Sequence, residues 1–437
     1  MPVNVAVVGS GPSGFYAVNA LLKAIEDVRV DIVERLPSPF GLIRGGVAPD
    51  HQTTKRVARS FERSAQDPRV AYYGNVELGR DLTVDDLREI YDAVILATGA
   101  PRDRRLKIPG ADKAGVYGSA AFVGWYNGHP DFHDLEPDLD TPAAAVIGNG
   151  NVAINVARVL VKTAEEMRTS DLPVAVAEAI QNSPLTDVHL LGRRGPVEAK
   201  FTNVELREMG ALHQAVPIVD PAQLPDTVPT DMPDRDRRLR GRNLDSLREF
   251  AGRDPDAAPK RVHFEFFSAP VEVLGGDRVE ALKVERTQVV DGRPVGTGAF
   301  REIPCGLVVY AIGYRAVPIP GLPFDDSNGV VVNDDGRVGG RVYVVGWAKR
   351  GPTGVIGSSK KDGDTAARQI AQDVAVPQAP GREELERRLT AAGADWIAFA
   401  DWQKIDAAEV AAAADGSPRR KFVTVDDMLA QLGSALR

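Results

Sequence analysis

The chain has 437 residues, 43 % hydrophobic and 26 % charged, with a formal net charge of -8, a globular composition long enough for two or three domains. No apolar run approaches the ~18 residues of a membrane helix, the Met1-Pro2-Val3-Asn4 start lacks the basic region of a secretory leader, and the acidic balance argues against a general nucleic-acid footprint. The single cysteine, Cys305, excludes an internal disulfide, a CxxC redox pair and an unaided iron–sulfur ligand set, so a reducing compartment is expected, with no metal site and no membrane insertion.

In chain order, Val3 to Val8 is a short apolar run that predicts a strand. Gly9-Ser10-Gly11-Pro12-Ser13-Gly14 follows it as a turn. From Phe15 to Ile25 the apolar residues Ala17, Leu21, Leu22 and Ile25 fall at helical spacing, and Val28 to Val33 predicts a second strand ending at Glu34. This is the βαβ start of a parallel sheet. Gly9 permits the tight bend, Gly11 lets backbone approach a pyrophosphate, and Gly14 lets the helix pack close to the strand. The helix start offers free N–H groups to phosphate. Glu34, 20 residues beyond Gly14, stands where an acid accepts ribose hydroxyls. A lone glycine fingerprint is weak, and a structural turn is the plain alternative. Here strand, turn, helix, second strand and acid are all in register.

Tyr91 to Gly99 predicts another strand, ending in Ala97-Thr98-Gly99, and Gly306 to Gly313 a similar one. Both are expected to lead the chain between domains. A second copy of the opening pattern begins at Ala143 to Ile147, with the turn Gly148-Asn149-Gly150-Asn151-Val152-Ala153, a helix from Ile154 to Val161 and a strand from Val188 to Leu191. Helical residues from about 162 to 181 lengthen this unit. No acid follows its second strand. Arg193 and Arg194 do, and paired guanidinium groups suit a 2′-phosphate; a solvated basic turn is the alternative. Residues 220–260 read as a loop region with one helix, Val342 to Gly346 as a strand, and the tail from about 381 as a small helical appendage. Two identical ligands would not need an acid at one ribose end and arginines at the other. FAD at the first turn and NADP(H) at the second is the economical reading, and with no cysteine pair to receive electrons the acceptor must be external.

The run Phe40-Gly41-Leu42-Ile43-Arg44-Gly45-Gly46-Val47-Ala48-Pro49-Asp50-His51 resembles the signature of the adrenodoxin reductase family, which includes bacterial ferredoxin–NADP reductases. Phe122 to Asn127, Gly192 to Pro196, Glu205 to Met209 and Gly346 to Ile356 are similar to further family motifs, so the resemblance runs from residue 3 to about 378. It implies an α/β fold of two Rossmann-like domains. The FAD domain is discontinuous, 1–104 and 317–380, the NADP domain 105–316 lies between, and 381–437 is a helical extension that family members of ordinary length lack. Family FAD contacts carry over to Ser13, Glu34, Leu42, Leu78, Trp347, Gly354, Val355 and Ile356. NADP contacts carry over to Asn149, Gly150, Asn151, Val152, Arg193, Arg194, Glu205 and Gly354, with Arg104 matching a basic position of some bacterial members. His51 matches a histidine near the flavin and could relay a proton or simply shape the pocket. Asn155 stands where the family has an acid, which puts a histidine–carboxylate relay in doubt.

The implied activity is hydride transfer from NADPH to FAD, then single electrons to a small iron–sulfur protein of ferredoxin or adrenodoxin type that feeds an oxygenase. The implied protein is a monomer of the cytoplasm, or of the mitochondrial matrix in a eukaryote. Lys55, Arg56, Arg59 and Arg63, or Arg235, Arg237, Arg238, Arg240 and Arg242, could face such a partner; each run could equally be a solvated face. Trp396, Phe399 and Trp402 of the tail are expected to pack against the body. A flavin monooxygenase and a non-catalytic nucleotide-binding sensor are the other readings. An electron-feeding subunit like that of glutamate synthase would carry cysteine clusters, and this chain has none.

Overall fold

The computed structural model describes residues 1–230 and 232–433. The chain forms two compact units. The first comprises Met1–Arg102, Asn127–His133 and the chain from Gly313 onward; the second comprises Asp103–Tyr126 and Asp134–Ile312.

The first unit is built on a six-stranded sheet in the order Arg337–Gly339, Val342–Val344, Ala93–Leu96, Val3–Val8, Val28–Glu34, Val70–Gly74. All neighbours are parallel except the outermost pair, Arg337–Gly339 with Val342–Val344. A parallel sheet is covered on both faces, so its strands read as unbroken apolar runs. Val5, Ala6 and Val7 are accordingly fully buried. One face is covered by Phe15, Ala17, Val18 and Leu21 of the helix Pro12–Ala24. Against that helix packs Ser359–Asp373, whose Gly363 lies on the Tyr16 backbone. The other face is covered by Val84, Leu87 and Ile90 of the helix Val84–Ile90.

The expected strand from Tyr91 to Gly99 is only Ala93–Leu96. Tyr91 instead caps the preceding helix, its N–H donating to Leu87 O. The tail does not stand apart. Leu385, Leu389 and Trp396 enter one core of this unit, and Ile397, Phe399, Trp402, Ile405 and Met428 enter the other. Trp396 lies on Tyr73, and Phe399 meets Tyr72 edge-on. The stretch 105–316 is also not one block, because Asn127–His133 belongs to the first unit. There Lys421 Nζ donates to Asn127 O at 2.9 Å, and Arg35 forms a bidentate pair with Asp131.

The second unit repeats the plan. Its sheet is wholly parallel, in the order Val116–Gly118, Leu307–Tyr310, Ala143–Ile147, Asp187–Leu191, Lys260–Glu265, Ala215–Val219. The helix Asn151–Val161 buries Ala153, Ile154, Val156 and Ala157 against it. The helical stretch near 162–181 is two helices, Ala164–Met167 and Val174–Asn182, the second starting after Pro173. The loop region 220–260 contains the helix Asp234–Ala251. An antiparallel three-stranded sheet, Ser268–Leu274, Ala281–Val290 and Arg293–Pro304, completes the unit.

Candidate dinucleotide sites

Each sheet has a switch point, at Val3–Val8 in the first and Ala143–Ile147 in the second, where the strand has one neighbour that follows it in sequence and another that returns from farther along the chain. Ligands of open parallel sheets sit at that crevice. The two switch points are near copies. Gly9 N donates to Val33 O and Ala97 N to Val8 O, at 2.8 and 2.7 Å. Gly148 N donates to Leu191 O and Ala311 N to Ile147 O, also at 2.8 and 2.7 Å. Gly9 and Gly148 have φ of 104° and 144°, and a Cβ on either would strike the carbonyl of Ala97 or Ala311. Only glycine fits such a turn.

In the first turn a Cβ on Gly14 would overlap the Gly9 carbonyl oxygen, so helix and turn are in direct backbone contact there. Pro12 opens the helix, where its missing N–H costs nothing. Glu34 closes the second strand. Its Oε2 accepts from Ser10 N at 2.8 Å and Ser10 Oγ at 2.6 Å, and its Oε1 accepts from Leu36 N at 3.2 Å. Ser10 is therefore the orienting partner of the acid. Nothing local in the sequence marks Ser10 for this role, because its partner lies 24 residues away. Three more segments of this unit meet the turn or the acid. Phe40 N donates to Ser10 O at 3.0 Å. A Cβ on Gly346 would overlap Ser13 Oγ, which itself bonds Ser359 Oγ at 3.0 Å. Val76 N donates to Glu34 O, which brings the Leu78 segment beside the strand end.

Leu42 is 43 % exposed in the short helix Leu42–Gly45. Trp347 stacks on Tyr314 and donates from Nε1 to Thr353 O at 3.3 Å. Gly354 and Val355 are exposed and Ile356 is half-buried, just before the helix Ser359–Asp373. Buried Asp362 fixes this corner by accepting from Gly346 N and pairing with Arg350; Arg350 belongs to the Gly346 to Ile356 motif, whereas Asp362 did not stand out in the sequence. His51 is half-buried and caps the helix Gln52–Lys55.

In the second unit Gly150 caps the helix, and a Cβ added to it would meet nothing within 4 Å, leaving open space before the helix start. Asn149 packs onto Gly192, and its buried Oδ1 has no hydrogen-bond partner among the described residues. Asn151 Oδ1 accepts from Thr202 N at 2.8 Å, and Asn149 O from Lys200 N at 2.7 Å. Those bonds set the start of the helix Asn203–Met209, whose first turn carries Glu205. Val152 is in the first turn of its own helix. Arg193 is exposed and Arg194 half-buried at the end of the strand Asp187–Leu191, and neither has an acidic partner among the described residues. Arg104 is exposed just after the chain enters this unit. Asn155 Oδ1 accepts from Arg158 Nη2 at 2.8 Å, and Arg158, 1 % exposed, pairs with Glu208. The amide at 155 thus serves a buried cation. Cys305 is buried, and burial pushes its thiol up to about 12, so it is protonated and unreactive at neutral pH.

Both sites fit their expected groups. The first has a tight glycine turn, a helix start and an oriented acid. The second has a turn of the same shape, an open helix start, an unpartnered buried amide oxygen and two uncompensated guanidinium groups. Two such units define an oxidoreductase of the two-dinucleotide class.

Residues 3–194 match the family model described as pyridine nucleotide-disulphide oxidoreductase. The chain is 41 % identical over 455 residues to NADPH-ferredoxin reductase FprA of Mycobacterium tuberculosis, covering 98 % of both chains. It is 42 % identical over 452 residues to the mitochondrial NADPH:adrenodoxin oxidoreductase of Homo sapiens, covering 98 % of this chain and 92 % of that one. The structure of Mycobacterium tuberculosis FprA in complex with NADPH superposes with a TM-score of 0.94 at 40 % identity, over 99 % of this chain and all of the other. The chain belongs to the family of NADPH-ferredoxin and NADPH:adrenodoxin reductases. The expectation that relatives lack the tail is overturned, since 98 % coverage of this chain leaves no room to omit residues 381–437.

Proposed function

We propose that this chain is an NADPH-dependent reductase that carries FAD in its first unit and passes electrons singly to a small iron–sulfur protein. The observation that carries the reading is the asymmetry between two turns held by the same hydrogen-bond pattern, one answered by Glu34 and the other by Arg193 and Arg194. Its similarity over nearly full length to ferredoxin and adrenodoxin reductases supports the acceptor class. FAD, when bound, takes electrons in pairs and releases them one at a time.

The residues bind and orient. Gly9, Gly11, Ser13 and Gly14 receive the flavin pyrophosphate, and Glu34 takes the ribose. Leu42, Leu78, Trp347, Gly354, Val355 and Ile356 complete that site. Asn149, Gly150, Asn151 and Val152 receive the NADPH pyrophosphate, Arg193 and Arg194 the 2′-phosphate, and Glu205 and Arg104 its surroundings. His51 shapes the pocket or relays a proton. Asn155, bonded to Arg158, cannot carry that proton onward.

We place the protein in the cytoplasm, or in the mitochondrial matrix of a eukaryote, as a monomer. A lone, buried, protonated cysteine supports a reducing compartment. No helix among the described residues is long and apolar enough to cross a membrane. The test is cofactor preference: purified protein should be yellow and oxidise NADPH far faster than NADH when an iron–sulfur acceptor is present. NADPH use that instead requires an organic substrate and oxygen would favour a monooxygenase. A colourless protein that binds NADPH without consuming it would favour a sensor.

A further inference from the structure

The loop Phe40–Gly46 adopts a backbone it would not hold alone. Phe40 has φ of 81° and Gly41 of 48°, and a bulky residue in the left-handed region persists only where its surroundings over-determine it. The loop is seated on the first turn. Phe40 N bonds Ser10 O, and a Cβ on Gly41 would come within 3.0 Å of Gly11 Cα.

What fixes the loop from outside is the C-terminal segment. Both oxygens of Glu409, in the helix Phe399–Ala411, accept from the Arg44 guanidinium, and the Glu409 side chain is 0 % exposed. The same carboxylate accepts from Phe422 N at 2.9 Å and from Arg419 at 3.3 Å. Lys421, 6 % exposed, donates from Nζ to Arg44 O at 3.1 Å and to Asn127 O at 2.9 Å. Trp402 lies under the Arg44 guanidinium at 5.1 Å and meets the Phe40 ring edge-on at 6.4 Å. Burial opposes ionisation of Glu409, but Arg44 and Arg419 outweigh it and hold its carboxyl below the usual carboxylate range. The carboxylate is thus charged, hydrogen-bonded on both oxygens and shut off from solvent, while Arg44 is 11 % exposed, a setting in which a bidentate pair fixes geometry.

We propose that Glu409 and Lys421 are positioning residues for the flavin site: through Arg44 they hold the loop Phe40–Gly46 against the phosphate turn, so that FAD affinity depends on the last fifty or so residues of the chain. The inference rests on the first turn being the FAD site.

The test uses full-length protein stripped of flavin. FAD affinity is measured by fluorescence titration, the flavin environment by visible circular dichroism of the reloaded protein, and the second unit by binding of adenosine 2′,5′-bisphosphate. Glu409→Gln keeps the shape and removes the charge, and one charged hydrogen-bonded contact corresponds to about a tenfold change or more. The FAD Kd should therefore rise at least about tenfold with an altered flavin dichroism, bisphosphate binding should stay within about twofold, and Glu409→Asp should recover part of the loss. Lys421→Met should act in the same direction, and it carries the comparison if Glu409→Gln does not fold. Unchanged FAD Kd and dichroism in folded variants, with only a lower melting temperature of the apoprotein, would overturn the proposal by making the contact a structural staple. If the unaltered protein itself binds no FAD, the assignment of the first turn fails instead.

Discussion

Glu34 has about four lone-pair positions on its carboxylate. Ser10 takes two on one oxygen and Leu36 N takes one on the other, which leaves room for a ribose hydroxyl. Arg193 and Arg194 show the opposite condition, cations with no acidic partner among the described residues. Replacing either by Gln should raise the KM for NADPH by about 10- to 100-fold, the worth of one charged hydrogen bond, and leave that for NADH nearly unchanged; steady-state kinetics with both cofactors check it. His129 gives the first unit a pH signature. Burial against Gly45 pushes its imidazole down from its usual 6.5 to about 4, with Asp131 opposing and Arg35, Arg44 and Lys421 reinforcing the shift. The unfolded chain therefore binds the proton more readily, and the stability held by neutral His129 is complete above about pH 6.5 and lost as pH falls toward 4. Urea unfolding at several pH values should show this slope, and His129→Gln should flatten it. The positions of Glu34, Arg193 and Arg194 were legible in the sequence because Glu34 ends the second strand of the first unit and the two arginines follow the corresponding strand of the second. Ser10, Asp362, Glu409 and Lys421 were not, because their roles depend on partners brought close only by the fold.

At the scale of elements, the strands were legible where both faces are buried. Val3 to Val8 and Ala143 to Ile147 appear in the structure with the same bounds. The strand expected from Tyr91 was overextended because apolar Tyr91 ends a helix, a choice made by backbone hydrogen bonds that side-chain hydropathy does not report. The tail looked like an appendage because its helices are mixed Ala and charge in sequence. Its aromatic residues Trp396, Phe399 and Trp402 do pack against the body as expected, and the fold adds that they enter both cores of the first unit. Turn and helix are in direct backbone contact at Gly14. Gly14→Ala would force its methyl into the Gly9 carbonyl, so this variant should lose FAD binding while the Gly148–Ala153 turn still binds adenosine 2′,5′-bisphosphate. Flavin retention through size-exclusion chromatography checks the first half and calorimetry the second.

Across the whole molecule, one plan is used twice and differentiated at a few side chains. That is why the glycine turns point to dinucleotides and only the ribose ends say which. An iron–sulfur partner with an acidic surface would meet exposed Arg56, Arg59 and Arg63, or the arginines of the helix Asp234–Ala251, where Arg237 is already paired with Asp234. Electrostatic docking makes the electron-transfer rate fall steeply with ionic strength, and stopped-flow rates over a salt series would show it; a flat series would rule out docking by these faces. The most direct measurement is anaerobic. FAD-loaded protein is mixed with NADPH, the flavin absorbance is followed, and oxidised ferredoxin is then added. With one equivalent of NADPH and excess ferredoxin the expected result is rapid bleaching, then recovery of flavin absorbance as ferredoxin is reduced, two molecules of the one-electron iron–sulfur acceptor for each NADPH consumed. A flavin that NADPH fails to bleach, or one that stays reduced in the presence of ferredoxin, would contradict it.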